Sequence, residues 1–430
     1  MSRMHTVALV TLLLVNCKSI SAGDWPNWRG PTRDDHVADS SGWDGKEWLS
    51  VPPSWKASVG EGSSSPLVIG DAVYTLGYES GNDVLRCLNI QDGKVRWEVR
   101  HKTPRYGRFH EGDEGLYSGT SSTPEYDEAT GYLYTLSTDG DLRCFNTKEQ
   151  GNLIWQRNLY VDFKVTKRPR LTKAPLRDYG YTTSPLVQGE LLLVEVGSTE
   201  RGSVIAFDKK SGREVWASKL KEEAGHTGGM TPITVQGVPC VAVITQRNLA
   251  VIRIDKDNVG KTVATFPWVT DFANSIASPA VSGDSVLITA SYNHNAMVRV
   301  QFALTSAKEI WRVKAPSKVC TPIIHGKYVY VSWQKFRCLD WETGQLNWEG
   351  GVFGDPGSCI ATRDERIVVY GGKGKLALIE GAGRSPKEYQ ELAVYDNKFP
   401  SEGWPHVVLT GQRILCRDRL GHLVCLSVKK

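Results

Sequence analysis

No stretch of eighteen or more apolar residues occurs in the 430-residue chain, so no membrane-spanning helix is expected. None of the nine cysteines belongs to a Cys-x-x-Cys pair and no two are adjacent, which argues against a zinc site. Charge is not concentrated in one sign. The 52 Lys and Arg stand against 47 Asp and Glu, and the net +5 is too diffuse for a nucleic-acid footprint. Hydroxyl-rich stretches such as Ser63-Ser64-Ser65 lack a matching His/Asp arrangement, so hydrolase chemistry has no support. Helical periodicity is missing too, because Gly and Pro interrupt the β-branched runs. What is plentiful is Gly, at 42, which punctuates turns, and Trp, at 14, which concentrates buried area at few positions.

The N-terminus reads as an export signal. Arg3 supplies the positive end, Val7 to Val15 the short apolar core, and Ile20-Ser21-Ala22 a small residue before the cut. Residues 1–22 are therefore expected to be removed, leaving 23–430 as one exported domain, periplasmic or extracellular. Leu14-Val15-Asn16-Cys17 offers a lipoprotein form of the same signal, with Asn16 where a small residue is wanted. Membrane attachment is expected only if Cys17 is lipidated.

Two marks recur along the remainder. Ser or Thr before Pro opens an apolar strand at Ser65-Pro66, Thr123-Pro124, Ser184-Pro185, Thr231-Pro232, Ser278-Pro279 and Thr321-Pro322. A turn Gly precedes a Trp by four residues at Gly93/Trp97, Gly151/Trp155, Gly212/Trp216 and Gly344/Trp348, with Ala307/Trp311 as a variant. Between the marks lies a hairpin, clearest at Thr138-Asp139-Gly140-Asp141, where Asp-Gly separates two β-rich runs. Each unit thus holds four short strands, A to D. Successive Pro positions step by 58, 61, 47, 47 and 43 residues, the period of β-propeller blades. Degenerate units near Ser358-Cys359 and Trp404-Pro405 bring the count to eight. The last unit has no room for strand D, whereas Ser54-Trp55-Lys56-Ala57 is a Trp strand without a blade. The expected fold is an all-β, eight-bladed propeller of four-stranded antiparallel blades. An extension over 23–53 precedes a closing strand, 54–57, that completes the last blade and leaves no open sheet edge.

The segment Ala206-Phe207-Asp208-Lys209-Lys210-Ser211-Gly212-Arg213-Glu214-Val215-Trp216 resembles the tryptophan-docking motif of pyrroloquinoline-quinone (PQQ) repeats. Cys338 to Trp348 and Cys87 to Trp97 are similar, and Asp24-Trp25-Pro26-Asn27-Trp28-Arg29-Gly30-Pro31 resembles the opening of exported bacterial PQQ-like propellers. The resemblance implies structural docking roles for Trp55, Trp97, Trp155, Trp216, Trp311 and Trp348, with Trp25 lying outside the repeat and mattering less. Cys87, Cys144, Cys338 and Cys425 take the motif's Ala place and read as small packed residues. One disulfide is the exception considered: a Leu420-Gly421 turn would set Cys416 opposite Cys425.

The resemblance implies a non-catalytic, BamB-like binding or scaffold protein of the bacterial cell envelope, a monomeric ring with an envelope protein as partner. The same repeat builds PQQ-dependent quinoprotein dehydrogenases, the alternative reading, which use PQQ, Ca²⁺, a catalytic Asp and often a vicinal Cys-Cys disulfide. This chain has no adjacent Cys pair and no Asn/Glu/Asp set that matches such a site, so no catalytic, cofactor or metal residue is assigned. His110-Glu111-Gly112-Asp113-Glu114 reads as a solvated acidic loop and Asn293-His294-Asn295 as a hairpin turn, while His226 should lie near the central channel. The connection 156–183 is the candidate partner surface. It carries seven Lys and Arg against two Asp, with Tyr160, Phe163, Tyr179 and Tyr181 interleaved. Lys164, Lys167, Arg168, Arg170, Lys173 and Arg177 are its candidate contacts. Binding of an acidic or saccharide ligand on this basic face is a further alternative.

Overall fold

The computed structural model describes residues 23–103, 119–165, 180–271, 274–355 and 357–429. Their strands form eight antiparallel sheets, the blades of one ring. The first blade is Leu67–Ile69, Ala72–Glu79, Asn82–Asn89 and Val95–Lys102, and the other blades repeat that order. In the sixth, one element, Tyr328–Asp340, supplies both middle strands and turns at Gln334, whose φ is +59°.

Position in the blade explains composition. Middle strands are covered by both neighbouring blades and read as unbroken buried runs, as in Leu191–Ser198 and Lys375–Glu380. The outermost strands cover the core with one face only, so Val95–Lys102 and Asn152–Asn158 alternate between half-buried and exposed.

The ring closes as the sequence predicts. Leu49–Ser58 pairs antiparallel with His422–Val428, with Trp55 opposite Cys425 and Ala57 opposite Leu423. It forms the outer strand of a blade whose other strands are Val408–Thr410, Arg413–Arg417 and His422–Val428. The strand reaches beyond 54–57 because Leu49 and Ser50 also pair, with Val428 and Ser427.

Trp55, Trp97, Trp155 and Trp311 each sit against a turn Gly of the following blade. A Cβ on Gly93 would lie 2.6 Å from the Trp55 ring, one on Gly151 2.7 Å from Trp97, and one on Gly212 2.6 Å from Trp155. These glycines also have φ between +68° and +78°, so two independent constraints select Gly. The indoles of Trp55, Trp155, Trp311 and Trp348 donate across the junction to the carbonyls of Ile90, Lys209, Trp341 and Ser385 at 2.8 to 3.1 Å. Cys87, Cys144, Cys338 and Cys425 each pair in register with the docking Trp of their own blade. Burial pushes the Cys87 thiol up to about 11 and the other three to about 12, so they pack and do not react.

Two expectations need correction. Cys416 pairs with Val424 and Cys425 with Leu415, so the two thiols point to opposite faces of the sheet, and both are free. The hairpin register, one residue off the expected pairing, forbids that bridge. Trp25 is not peripheral: it is 1% exposed and bridges to Val68 in the first blade. Trp55→Ala and Trp25→Ala should therefore each cost about 3–5 kcal/mol, the range for large buried rings. Trp216, half-buried, should cost less. Denaturant melts of the three variants check the order, and equal losses at Trp55 and Trp216 would contradict it.

Candidate functional site

The Ser/Thr-Pro marks converge on the axis, where their hydroxyls link blade to blade. The Ser65 amide donates to the Thr123 hydroxyl at 3.0 Å, the Thr123 amide to Ser184 at 3.1 Å, and the Ser278 amide to Thr321 at 3.0 Å. Around the closing blade, the His406 amide donates to Ser65 at 2.7 Å and the Val407 amide to Ser358 at 3.0 Å. The Pro that follows has no N–H of its own, and at Ser65 and Thr123 the mark supplies both an amide and a hydroxyl to its neighbours before it starts the strand.

Above this ring lies an axial cavity of about 60 Å³. Ser63, Ser121 and Thr182, each three residues before a Pro mark, form a polar arc. Ile276 and Val319, at the same place in later blades, form an apolar one. Trp404 and His226 complete the wall, with the His226 Nδ1 at 3.0 Å from the Asn274 Oδ1. His226 thus lies where the sequence places it.

The floor is Trp28, from a segment that sequence reading left without a role. Residues 25–41 form a strap across the axis beneath the cavity. The Tyr126 amide donates to the Pro26 carbonyl at 2.9 Å, and the Trp28 indole to the Ser278 hydroxyl at 3.1 Å. Arg29 donates to the Pro322 carbonyl at 3.3 Å and pairs with Asp35 at 2.6 Å. Asp35 also faces the His406 Nε2 at 3.0 Å, while its carbonyl accepts from the Ala361 amide at 2.9 Å. Ser41 ends the strap by donating amide and hydroxyl to Asp364, both at 2.7 Å. Burial works against the Asp364 charge, but these bonds and those from Thr362 and Arg366 hold its carboxyl below the ordinary range. Arg29 is 2% exposed and Asp35 0%, so the strap carries a buried ion pair.

The basic connection is reached only at its flanks. Lys164 is exposed in a turn after the short helix Leu159–Asp162, which is capped by the Asn158 side chain. Lys167, Arg168, Arg170, Lys173 and Arg177 lie outside the described residues, as do Tyr179, the His110–Glu114 stretch, Cys17 and all of 1–22. The aromatics expected beside the cations turn inward. Tyr160, Phe163 and Tyr181 are buried, and the Tyr181 hydroxyl donates to the Val196 carbonyl at 2.7 Å. Phe163 and Tyr181 pack on the third blade, and Tyr160 packs on the Gly140 turn of the second. Asn293-His294-Asn295 is a turn, as expected, with the His294 ring stacked on Trp268 at 3.7 Å.

The axial lining does not suit PQQ with Ca²⁺. It supplies hydroxyls, two indoles and one imidazole. Among the described residues that line it there is no Lys or Arg for the quinone's carboxylates. There is also no carboxylate for a cation that takes six to eight oxygens. Its volume falls well short of the roughly 300–1,000 Å³ of small-molecule sites.

A family model described as outer membrane protein assembly factor BamB matches residues 54–350. No curated protein matches the chain in sequence. Among solved structures, BamB from Moraxella catarrhalis is 12% identical with a TM-score of 0.59, over 89% of this chain and all of that one. A quinohemoprotein alcohol dehydrogenase from Pseudomonas putida HK5 is 11% identical with a TM-score of 0.61, over 94% of this chain and 80% of that one. The computationally designed Ika8 protein is 9% identical with a TM-score of 0.55, over 87% and 99%. At these identities the likenesses describe the fold.

Asp35→Ala leaves Arg29 buried without its counter-charge and should cost about 3–5 kcal/mol. Asp44→Ala, at an exposed turn, should cost less than about 1 kcal/mol. Chemical denaturation checks both, and a near-neutral Asp35→Ala would mean that the strap does not seal the axis.

Proposed function

The chain belongs to the PQQ-repeat family described as outer membrane protein assembly factor BamB, and we propose that it is a non-catalytic binding scaffold of the bacterial cell envelope. The observation that carries this reading is the filled axis. In a propeller the axis is the natural place for a cofactor or substrate, because all the blades contribute to it. Here Trp28 floors that place and the Arg29–Asp35 pair lies beneath it. The remaining cavity has room for little more than water.

With the axis closed, the rim is left to meet a partner. Lys164 and the cations of the same connection, Lys167, Arg168, Arg170, Lys173 and Arg177, are the proposed contacts. Their charge would steer an acidic surface of an envelope protein onto the ring. Export through the signal at 1–22 would bring the chain to that partner.

The dehydrogenase reading has one observation behind it, the fold likeness to the quinohemoprotein alcohol dehydrogenase. Adding PQQ and Ca²⁺ to the purified chain separates the two. The scaffold reading expects no stoichiometric quinone absorbance to remain with the protein after gel filtration. It also expects charge reversal of Lys167, Arg168 and Arg170 together to abolish capture of an envelope protein with the melting curve unchanged. Retained stoichiometric PQQ would overturn the reading in favour of the enzyme.

A further inference from the structure

Two buried thiols face each other across a blade junction. Cys320 lies just before the inner strand Ile323–His325 of the sixth blade, and Cys359 lies within Gly357–Ala361, the inner strand of the seventh. Their sulfurs are 3.8 Å apart, and each residue is 1% exposed. We propose that Cys320 and Cys359 form a disulfide that staples the sixth blade to the seventh when the chain folds in a thiol-oxidising compartment.

The geometry asks for little. The Sγ separation must fall from 3.8 Å to the bonded distance of about 2.05 Å, within reach of side-chain rotation between neighbouring strands. Besides Cys359, the Cys320 sulfur makes only weak polar contacts among the described residues, to the Thr321 carbonyl at 3.3 Å and from the Ser332 amide at 3.5 Å. The place is also where the strap is tied down. Arg29 reaches Pro322 two residues after Cys320, and Asp35 holds the amide of Ala361 two residues after Cys359. A bridge here would fix the spacing of the two blades that carry the Arg29–Asp35 pair.

The chemistry is thiol–disulfide exchange. One thiolate attacks the disulfide of an oxidant, either a small-molecule disulfide or an enzyme-borne one, and a mixed disulfide forms. The second thiolate displaces the oxidant's remaining sulfur. Two protons and two electrons leave Cys320 and Cys359, and the oxidant departs as two thiols. In the closed ring, burial and the neighbouring Cys320 thiol hold the Cys359 thiol far above its ordinary range. Exchange therefore belongs to the folding chain. Once formed, the bridge is shielded by the same burial.

The test refolds the full, reduced chain in a buffer of reduced and oxidised glutathione, quenches exchange with acid, blocks free thiols with iodoacetamide in denaturant, digests without reduction and maps the peptides by mass. The expected result is a single linked pair, Cys320 with Cys359, with Cys17, Cys87, Cys144, Cys240, Cys338, Cys416 and Cys425 alkylated. In the native oxidised protein dithiothreitol should leave the pair intact, and in denaturant it should release both peptides. Cys320→Ser should abolish the linked species, whereas Cys240→Ser, in the fourth blade, should retain it. Alkylation of both Cys320 and Cys359 after refolding to a cooperatively melting protein would overturn the proposal, as would a dominant link between any other pair.

Discussion

The hydrogen bonds between Leu49–Ser58 and His422–Val428 make the ring. Without them the last sheet would have three strands and an open edge, and the first blade would lose the Trp55 ring that covers its Gly93 turn. An unpaired edge exposes a row of amides and carbonyls and invites pairing with other chains. Joining segments more than 360 residues apart costs entropy, but that cost grows only with the logarithm of the loop. The closing strand also shields its own outer edge. Val51, Pro52 and Pro53 are solvent-accessible there, and proline offers no amide to an incoming strand.

Two concentric sets of contacts hold the closed ring. The inner set is the amide-to-hydroxyl bonds from Ser65 to Thr123, Thr123 to Ser184, Ser278 to Thr321 and Val407 to Ser358. The outer set is the Trp-on-Gly packing. These sets fail in a correlated way. Ala264 and Ala393 stand at the register positions that docking Trp takes in other blades. The blade after the first of these carries Ala307 in place of the turn Gly, and the blade after the second is assembled from residues 49–58 and 408–428. At these two junctions the docking Trp and the facing turn Gly are both missing.

Much of this was legible in the sequence, because blades are local. Hairpins, turns and Gly/Trp spacing are set within about fifty residues, and they repeat. Even the closing strand could be found, as a Trp strand left over beside a blade one strand short. The strap was not legible. Arg29 meets Pro322, 293 residues away, and Ser41 meets Asp364, 323 residues away, with no periodicity to announce either contact. Trp25 and Trp28 were read as part of a motif and not as a seal, since a sequence shows Trp but not what it covers. Tyr160, Phe163 and Tyr181 misled in the opposite sense: aromatics among cations resemble a binding surface, yet these three face the core. The Cys416 and Cys425 pairing failed on a register difference of one residue, which in a strand reverses the side chain.

The filled axis and the closed ring are one construction, because the segment that seals the channel continues directly into the strand that completes the last blade. The account therefore stands on residues 23–58 being structural throughout. Thermal unfolding of a chain lacking 23–58, set beside one lacking only 23–45, tests it most directly. The shorter deletion keeps the closing strand and should give a destabilised protein that still melts cooperatively. The longer deletion should give an insoluble or molten chain, although it removes no complete blade. A soluble protein with a sharp, cooperative transition after the longer deletion would contradict the account.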